Sequence, residues 1–141
     1  MDSFTGFLCF ELGLAARKIY RYYNNRYAQH GITVPQSFIL FALQEQDGQN
    51  VKDLASRLSL DSPAITGLLD RLEKENLVER RNDPEDRRAL RVFLTGKGRD
   101  LAGEIYKIAA AFNEELNSAF NDDQKRVLKK LLNVVDSMGL N

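Results

Sequence analysis

Two short amphipathic segments joined by Ser59-Leu60-Asp61, followed at once by two β-prone runs around a polar turn, constrain this chain more than any other feature. Asn50 suits the cap of a helix over Val51–Leu58, because its side-chain oxygen satisfies an otherwise orphaned amide. A second helix is expected from Ser62, read as the N-cap, with Pro63 in the first turn, where its missing N–H costs nothing. Ile65, Leu68, Leu69 and Leu72 form one apolar stripe of that helix. At about 100° per residue, the opposite side presents Pro63, Thr66, Gly67, Asp70, Arg71 and Lys74, small at its start and basic further on. Leu77–Arg81 and Arg87–Leu94 then read as strands around Asn82-Asp83-Pro84-Glu85-Asp86. Two short helices with a tight turn make a helix-turn-helix, and the hairpin that follows is a wing.

The flanks are helical. Phe4, Leu8, Leu12, Ala15, Ile19, Tyr22 and Tyr23 repeat at three and four, predicting one long helix to about Gln29, stopped at His30-Gly31. A helix starting near Pro35 carries Phe38, Ile39, Phe41, Ala42 and Leu43, whose clustering predicts deep burial, and ends at Asp47-Gly48. Thr95-Gly96-Lys97-Gly98 opens another, with Leu101, Ile105, Ile108, Phe112, Leu116 and Phe120 in step. A last helix after Asp122-Asp123 uses Val127, Leu128, Leu131, Leu132, Val135 and Met138. The expected fold is mainly α with a small β-hairpin wing, an α+β winged helix-turn-helix with long terminal helices. At 141 residues, one domain is expected.

The formal net charge is zero, but its distribution is uneven. Residues 71–99 hold nine Lys/Arg against six Asp/Glu, whereas residues 100–141 hold five against seven. Positive charge therefore collects in the second short helix and the wing. The apolar start lacks a basic leader and carries Glu11, Arg17 and Lys18, so it reads as mature structure rather than a signal peptide. No run reaches the roughly 18–20 apolar residues of a membrane span. With a single cysteine, Cys9, and a single histidine, His30, neither an internal disulfide nor a His/Cys zinc site is available, and a reducing cytoplasm fits. His30 reads as a helix-end or solvated residue. No nucleophile–base set, phosphate loop or dinucleotide fingerprint points to an enzyme, and no cofactor is expected.

A helix enters the major groove of DNA only where its leading surface is not bulky, as Ser62, Ala64, Thr66 and Gly67 allow. Ser and Thr hydroxyls hydrogen-bond base edges, while Arg71 and Lys74 suit phosphates. Arg87 and Arg88 at a hairpin tip suit a narrow minor groove. Taken alone, each feature has a plainer explanation: a polar helix face is commonly a solvated one, and Arg87 and Arg88 have Glu85 and Asp86 beside them as surface ion-pair partners. The order of helix-turn-helix and then basic hairpin favours DNA. The alternative is a winged-helix module that binds protein, which needs no paired arginines at a wing tip.

From Ile32 to Gly98 the chain resembles the MarR-type transcription regulators. The likeness lies in Ile32-Thr33-Val34-Pro35-Gln36, Leu54-Ala55-Ser56-Arg57-Leu58, Asp70-Arg71-Leu72-Glu73, Leu77-Val78-Glu79-Arg80, Asp83-Pro84-Glu85-Asp86-Arg87-Arg88 and Leu94-Thr95-Gly96-Lys97-Gly98. The resemblance implies a homodimeric regulator, a repressor, that binds a palindromic operator in double-stranded DNA. Residues 1–34 and 100–141 would then form the helical dimerisation region, and residues 35–99 the DNA-binding region of one intertwined domain. A dimer would also bury apolar stripes too long for a single winged helix to cover. By position, Ser62, Ala64 and Thr66 face bases, and Asp86 orients Arg88 at the wing tip. Family members are released from DNA by an aromatic small molecule or by cysteine oxidation. Leu8-Cys9-Phe10 resembles the single-cysteine branch that senses organic peroxides, and Tyr23 matches one of the tyrosines that hydrogen-bond the sensing sulfur there. The place of the second is held by Val34. The plainer role of Cys9 is that of a small buried hydrophobe.

Overall fold

A computed structural model describes residues 2–139. The chain divides into two compact units, one ending at Ile108 and the other beginning at Ala109.

The first unit opens on a 3-10 turn, Phe4–Gly6, and helix α1, Leu8–Tyr27. A second 3-10 turn, Ala28–His30, closes α1. The single helix expected over Phe4–Gln29 is thus interrupted at Phe7, whose backbone is extended, and tightened into a 3-10 turn at its C-terminal end, where carbonyl groups lack α-helical partners. Gly31 then reverses the chain at φ 68°, a conformation open to glycine without side-chain strain.

Helix α2, Val34–Glu45, begins one residue before Pro35. Gln36 Oε1 accepts from the Thr33 amide at 2.9 Å, and Asn24 of α1 accepts from the Val34 amide at 2.9 Å, so two leading donors are satisfied. Deep burial of α2 holds for Ile39, Leu40, Ala42 and Leu43 but not for its phenylalanines. Phe38 is exposed, edge-on to Tyr20, and half-buried Phe41 meets Tyr106 edge-on. The buried stripe of α2 is aliphatic, and its aromatic positions fall on the rim.

The winged region follows with β1 (Gln49–Asn50), α3 (Val51–Arg57), α4 (Ser62–Lys74), β2 (Val78–Asn82) and β3 (Leu90–Leu94). The strands form an antiparallel sheet in the order β1-β3-β2, with Val78 opposite Leu94, Arg80 opposite Val92 and Gln49 opposite Val92. The expected two-stranded hairpin is therefore three-stranded, since a two-residue strand shows no alternation that sequence can reveal. Ile39, Leu43, Leu54, Ile65, Leu69, Leu72, Val78 and Val92 are fully buried around this sheet. The hairpin is also shorter than expected. β3 starts at Leu90, so Arg87–Ala89 belong to the turn rather than to a strand.

Asp47 ties the end of the wing to the next helix. Its Oδ1 accepts from the Leu94 amide at 2.9 Å and its Oδ2 pairs with Arg99 at 3.1 Å. Helix α5 spans Gly96–Ser118. Its entry is fixed by Thr95, whose hydroxyl donates to the Asn76 carbonyl at 2.6 Å and accepts from the Gly98 amide at 3.0 Å. A Cβ at Gly98 would lie 1.9 Å from the Leu77 carbonyl oxygen, which gives the glycine of Leu94-Thr95-Gly96-Lys97-Gly98 a packing reason.

In the second unit, helix α6 (Asp122–Ser137) starts from an Asn121–Gln124 capping box, each side chain accepting from the other's amide. Its stripe of Val127, Leu128, Leu131, Leu132, Val135 and Met138 is exposed. Leu8 and Leu12 of α1 are exposed as well.

Candidate nucleic-acid interface

Asn50 Oδ1 accepts from the Lys52 amide at 2.8 Å and so caps α3. The chain turns at Ser59, φ 53°, where the Leu60 amide donates to the Ala55 carbonyl at 2.9 Å. The cap of α4 is Asp61 rather than Ser62: Asp61 Oδ1 accepts from the Ala64 amide at 2.8 Å. Either residue type serves as a cap, and one residue of register decides between them. The consequence is chemical, because the Ser62 hydroxyl has no capping duty and stays on the exposed surface.

Helix α4 buries Ile65, Leu69 and Leu72 and half-buries Leu68, as the stripe requires. Ser62, Pro63, Thr66, Gly67, Asp70, Arg71 and Lys74 are exposed, and Ala64 is half-buried. An added Cβ on Gly67 would meet nothing within 4 Å. The face is therefore smooth at its start, with hydroxyls at Ser62 and Thr66 and cations at Arg71 and Lys74.

The wing turn is built by Asp83, which is buried. Its carboxylate accepts from the Glu85 amide at 2.9 Å and from Arg91 Nε at 3.0 Å. The Glu85 N–H first, and Arg91 second, hold this carboxyl below its ordinary pKa. Asp83 N donates to the Ala89 carbonyl at 3.0 Å, closing the loop. Asp86 Oδ1 accepts from the Arg88 backbone N–H at 3.0 Å. Asp86 thus fixes the backbone of Arg88 and leaves the guanidinium to the outside. Arg87 and Arg88 are exposed, and among the described residues neither forms an ion pair, with Glu85 and Asp86 included.

Between these elements runs an open cleft of about 930 Å³, walled by Ala55 and Ser56 of α3, Ser62 and Thr66 of α4, and Asp86 and Arg88 of the wing. Helix start and wing tip, distant in sequence, border one groove. Arg80 of β2 lies in the same cleft, donating through Nε to Glu73 at 2.6 Å and through Nη2 to Asp70 at 2.7 Å. Arg81 pairs with Glu79 and lies 4.4 Å from the centre of the Phe93 ring. The sequence shows Asp61 only as part of a turn, Asp47 only as a helix stop and Arg80 only as a strand residue; their partners come from the fold. Arg80 alternates onto the α4 side of its strand, a signal that becomes usable only once the register with β3 is known.

Cys9 is the second residue of α1 and is exposed, so the single chain does not bury it as a core hydrophobe. Tyr23 is half-buried, its ring 5.9 Å from that of Tyr27. Both lie on α1, where fourteen residues at about 1.5 Å each separate them by about 21 Å. One chain therefore does not bring Cys9 and Tyr23 together. Val34 is buried at the start of α2. His30, in the turn after α1, faces Glu104 at 3.6 Å. Among the described residues, no helix is long and apolar enough to cross a membrane.

The family model described as "MarR family" matches residues 32–90. The HTH-type transcriptional regulator TtmR of Methylorubrum extorquens is 44% identical over 104 residues; the match covers 74% of this chain and 53% of TtmR, so the chain spans about half of that relative's length. The HTH-type transcriptional regulator MgrA of Staphylococcus aureus is 32% identical over 133 residues, covering 91% of this chain and 86% of MgrA. A solved structure of overoxidized AbfR bound to DNA, a protein of Staphylococcus epidermidis, superposes with a TM-score of 0.75 at 27% identity, covering 93% of this chain and 91% of that one.

Proposed function

The chain belongs to the MarR family, and from that premise we propose that it is a transcription regulator that binds a palindromic operator in double-stranded DNA as a homodimer. The observation that carries the proposal is the shared groove. Ser62 and Thr66 at the exposed start of α4 and Asp86 and Arg88 of the wing line one cleft, and among the described residues neither Arg87 nor Arg88 forms an ion pair. The relatives named as transcriptional regulators and the DNA-bound structure support the same reading.

In this proposal α4 lies in the major groove. Ser62, Pro63, Ala64, Thr66 and Gly67 approach base edges, and Arg71 and Lys74 meet phosphates. Arg88, with Arg87, enters the flanking minor groove, where closely spaced phosphates strengthen the negative potential. Asp86 holds the turn that aims Arg88. The apolar stripes of α1 and α6 pack against a second copy, which carries the second recognition helix to a half-site about one helical turn away.

Release from DNA follows occupation by an aromatic small molecule or oxidation of Cys9. Because Cys9 and Tyr23 are about 21 Å apart along α1, a Tyr23 beside the thiol would be that of the second copy. If organic peroxide is the signal, the first product is a sulfenic acid, and with no second cysteine in the chain the resolving thiol comes from outside.

The test is fluorescence anisotropy on a duplex from upstream of the protein's own gene and on a scrambled duplex, across a salt series, before and after cumene hydroperoxide. Selective, salt-sensitive binding supports the regulator, and thiol-reversible loss on oxidation that Cys9→Ser abolishes supports the redox signal. Selective binding that ignores oxidant favours the small-molecule signal, and no selectivity for any genomic fragment favours a protein-binding winged helix.

A further inference from the structure

The exposed face of α4 contains an anomaly for a surface that meets phosphates. Among the charged residues of α4 as a whole, Asp70 and Glu73, the latter half-buried at the edge of that face, match Arg71 and Lys74 one for one. By helical angle Asp70 lies near the middle of that face, between Thr66 and Lys74. A carboxylate there repels the backbone that the two cations attract.

We infer that Arg80 is a charge-masking and positioning residue of the DNA interface: from β2 it bridges both acids of α4, so that a helix whose own charges cancel presents Arg71 and Lys74 as its unopposed cations. The inference rests on the DNA-binding reading and deepens it. Nε reaches Glu73 Oε2 at 2.6 Å and Nη2 reaches Asp70 Oδ1 at 2.7 Å, so one guanidinium spans two carboxylates a helical turn apart. The planar fork of arginine makes this span, whereas a lysine ammonium acts as a single point charge. Arg80 is the least exposed of the three side chains, at 23% against 59% for Asp70 and 43% for Glu73. The cation thus sits behind the acids rather than in front of them, placed to neutralise them. Arg71 and Lys74 stay out of ion pairs among the described residues. The same bridge fixes α4 against the strand that leads into the wing, so helix and wing tip keep a common aim.

The experiment uses the duplex that the wild-type protein selects from a randomised pool, with affinity measured by anisotropy across a salt series. Arg80→Met is expected to weaken binding about tenfold at low salt, because two carboxylates per helix are unmasked. The triple variant Arg80→Met/Asp70→Asn/Glu73→Gln, in which nothing remains to be masked, is expected to return to within about threefold of wild type. A direct phosphate contact by Arg80, or a role confined to holding the sheet, would leave the triple variant as weak as Arg80→Met and would overturn the inference. Asp70→Asn/Glu73→Gln with Arg80 intact gives a reading that does not depend on how Arg80→Met folds: binding equal to or tighter than wild type supports masking, and weaker binding overturns it. A wild-type protein that selects no duplex from the pool would defeat the DNA-binding reading itself, a result distinct from an Arg80→Met that binds as wild type.

Discussion

Gly67→Ala separates what the fold needs from what the DNA interface needs. Gly67 lies inside α4, where glycine carries more backbone entropy into the unfolded state than alanine does. A Cβ built there meets nothing within 4 Å, so no clash offsets the gain in helix propensity. The substitution should stabilise the protein by about 0.5–1 kcal/mol. At fixed protein concentration the melting temperature should rise by about 2–4 °C. In the proposed complex, however, Gly67 lies on the surface that approaches the bases, beside Thr66. A methyl group there holds the helix away from the groove, and affinity should fall about tenfold, equivalent to about 1.4 kcal/mol. Differential scanning calorimetry and anisotropy on the selected duplex, run on the same preparation, read the two effects. A higher melting temperature with unchanged affinity would remove Gly67 from the DNA interface. A lower melting temperature would refute the open space assigned around it.

Gly98→Ala should destabilise by about 2–3 kcal/mol or more in urea unfolding, because its Cβ would lie 1.9 Å from the Leu77 carbonyl oxygen, an atom of the backbone that cannot swing aside. Arg88→Ala should weaken binding to all duplexes and reduce the salt-dependence slope by about one unit per lost phosphate contact. Thr66→Ala should instead alter preference at one base pair per half-site; equal behaviour of the two variants on every sequence would contradict separate roles. Leu131→Lys, on the exposed stripe of α6, should yield monomers in sedimentation velocity and lose tight DNA binding, whereas a dimer that persists would place the interface elsewhere.

The α-helical elements were legible because their apolar residues repeat over many turns. The stripe Ile65, Leu68, Leu69 and Leu72 set the face of α4, and the structure exposes the opposite residues as that stripe requires. What escaped the sequence is set by register or by distant partners. Asp61 takes the capping role expected of Ser62, because two good caps stand side by side and only the hydrogen bond to Ala64 chooses. Strand β1 is two residues long and exists through its pairing with Val92 and Arg91. The strand expected from Arg87 begins at Leu90, because Asp83, drawn toward Arg91 and the Glu85 amide, closes a longer turn. The clustering of apolar residues in α2 predicts a buried Phe38, but the aliphatic side of the helix faces inward. Of the residues proposed to meet DNA, Thr66, Arg87 and Arg88 are visible in the sequence as residue types in a suitable order. Arg80 is not, since its two partners lie seven and ten residues earlier on another element.

Hydroxyl-radical footprinting of the protein on the duplex it selects from a randomised pool tests the central claim most directly. Two recognition helices and two wings on one face of DNA predict an inverted-repeat sequence whose half-sites lie about one helical turn apart, with protected minor-groove stretches flanking them that disappear in Arg88→Ala. A pool that enriches no sequence, or a single protected block without an inverted repeat, would contradict a dimer reading DNA through α4 and the wing.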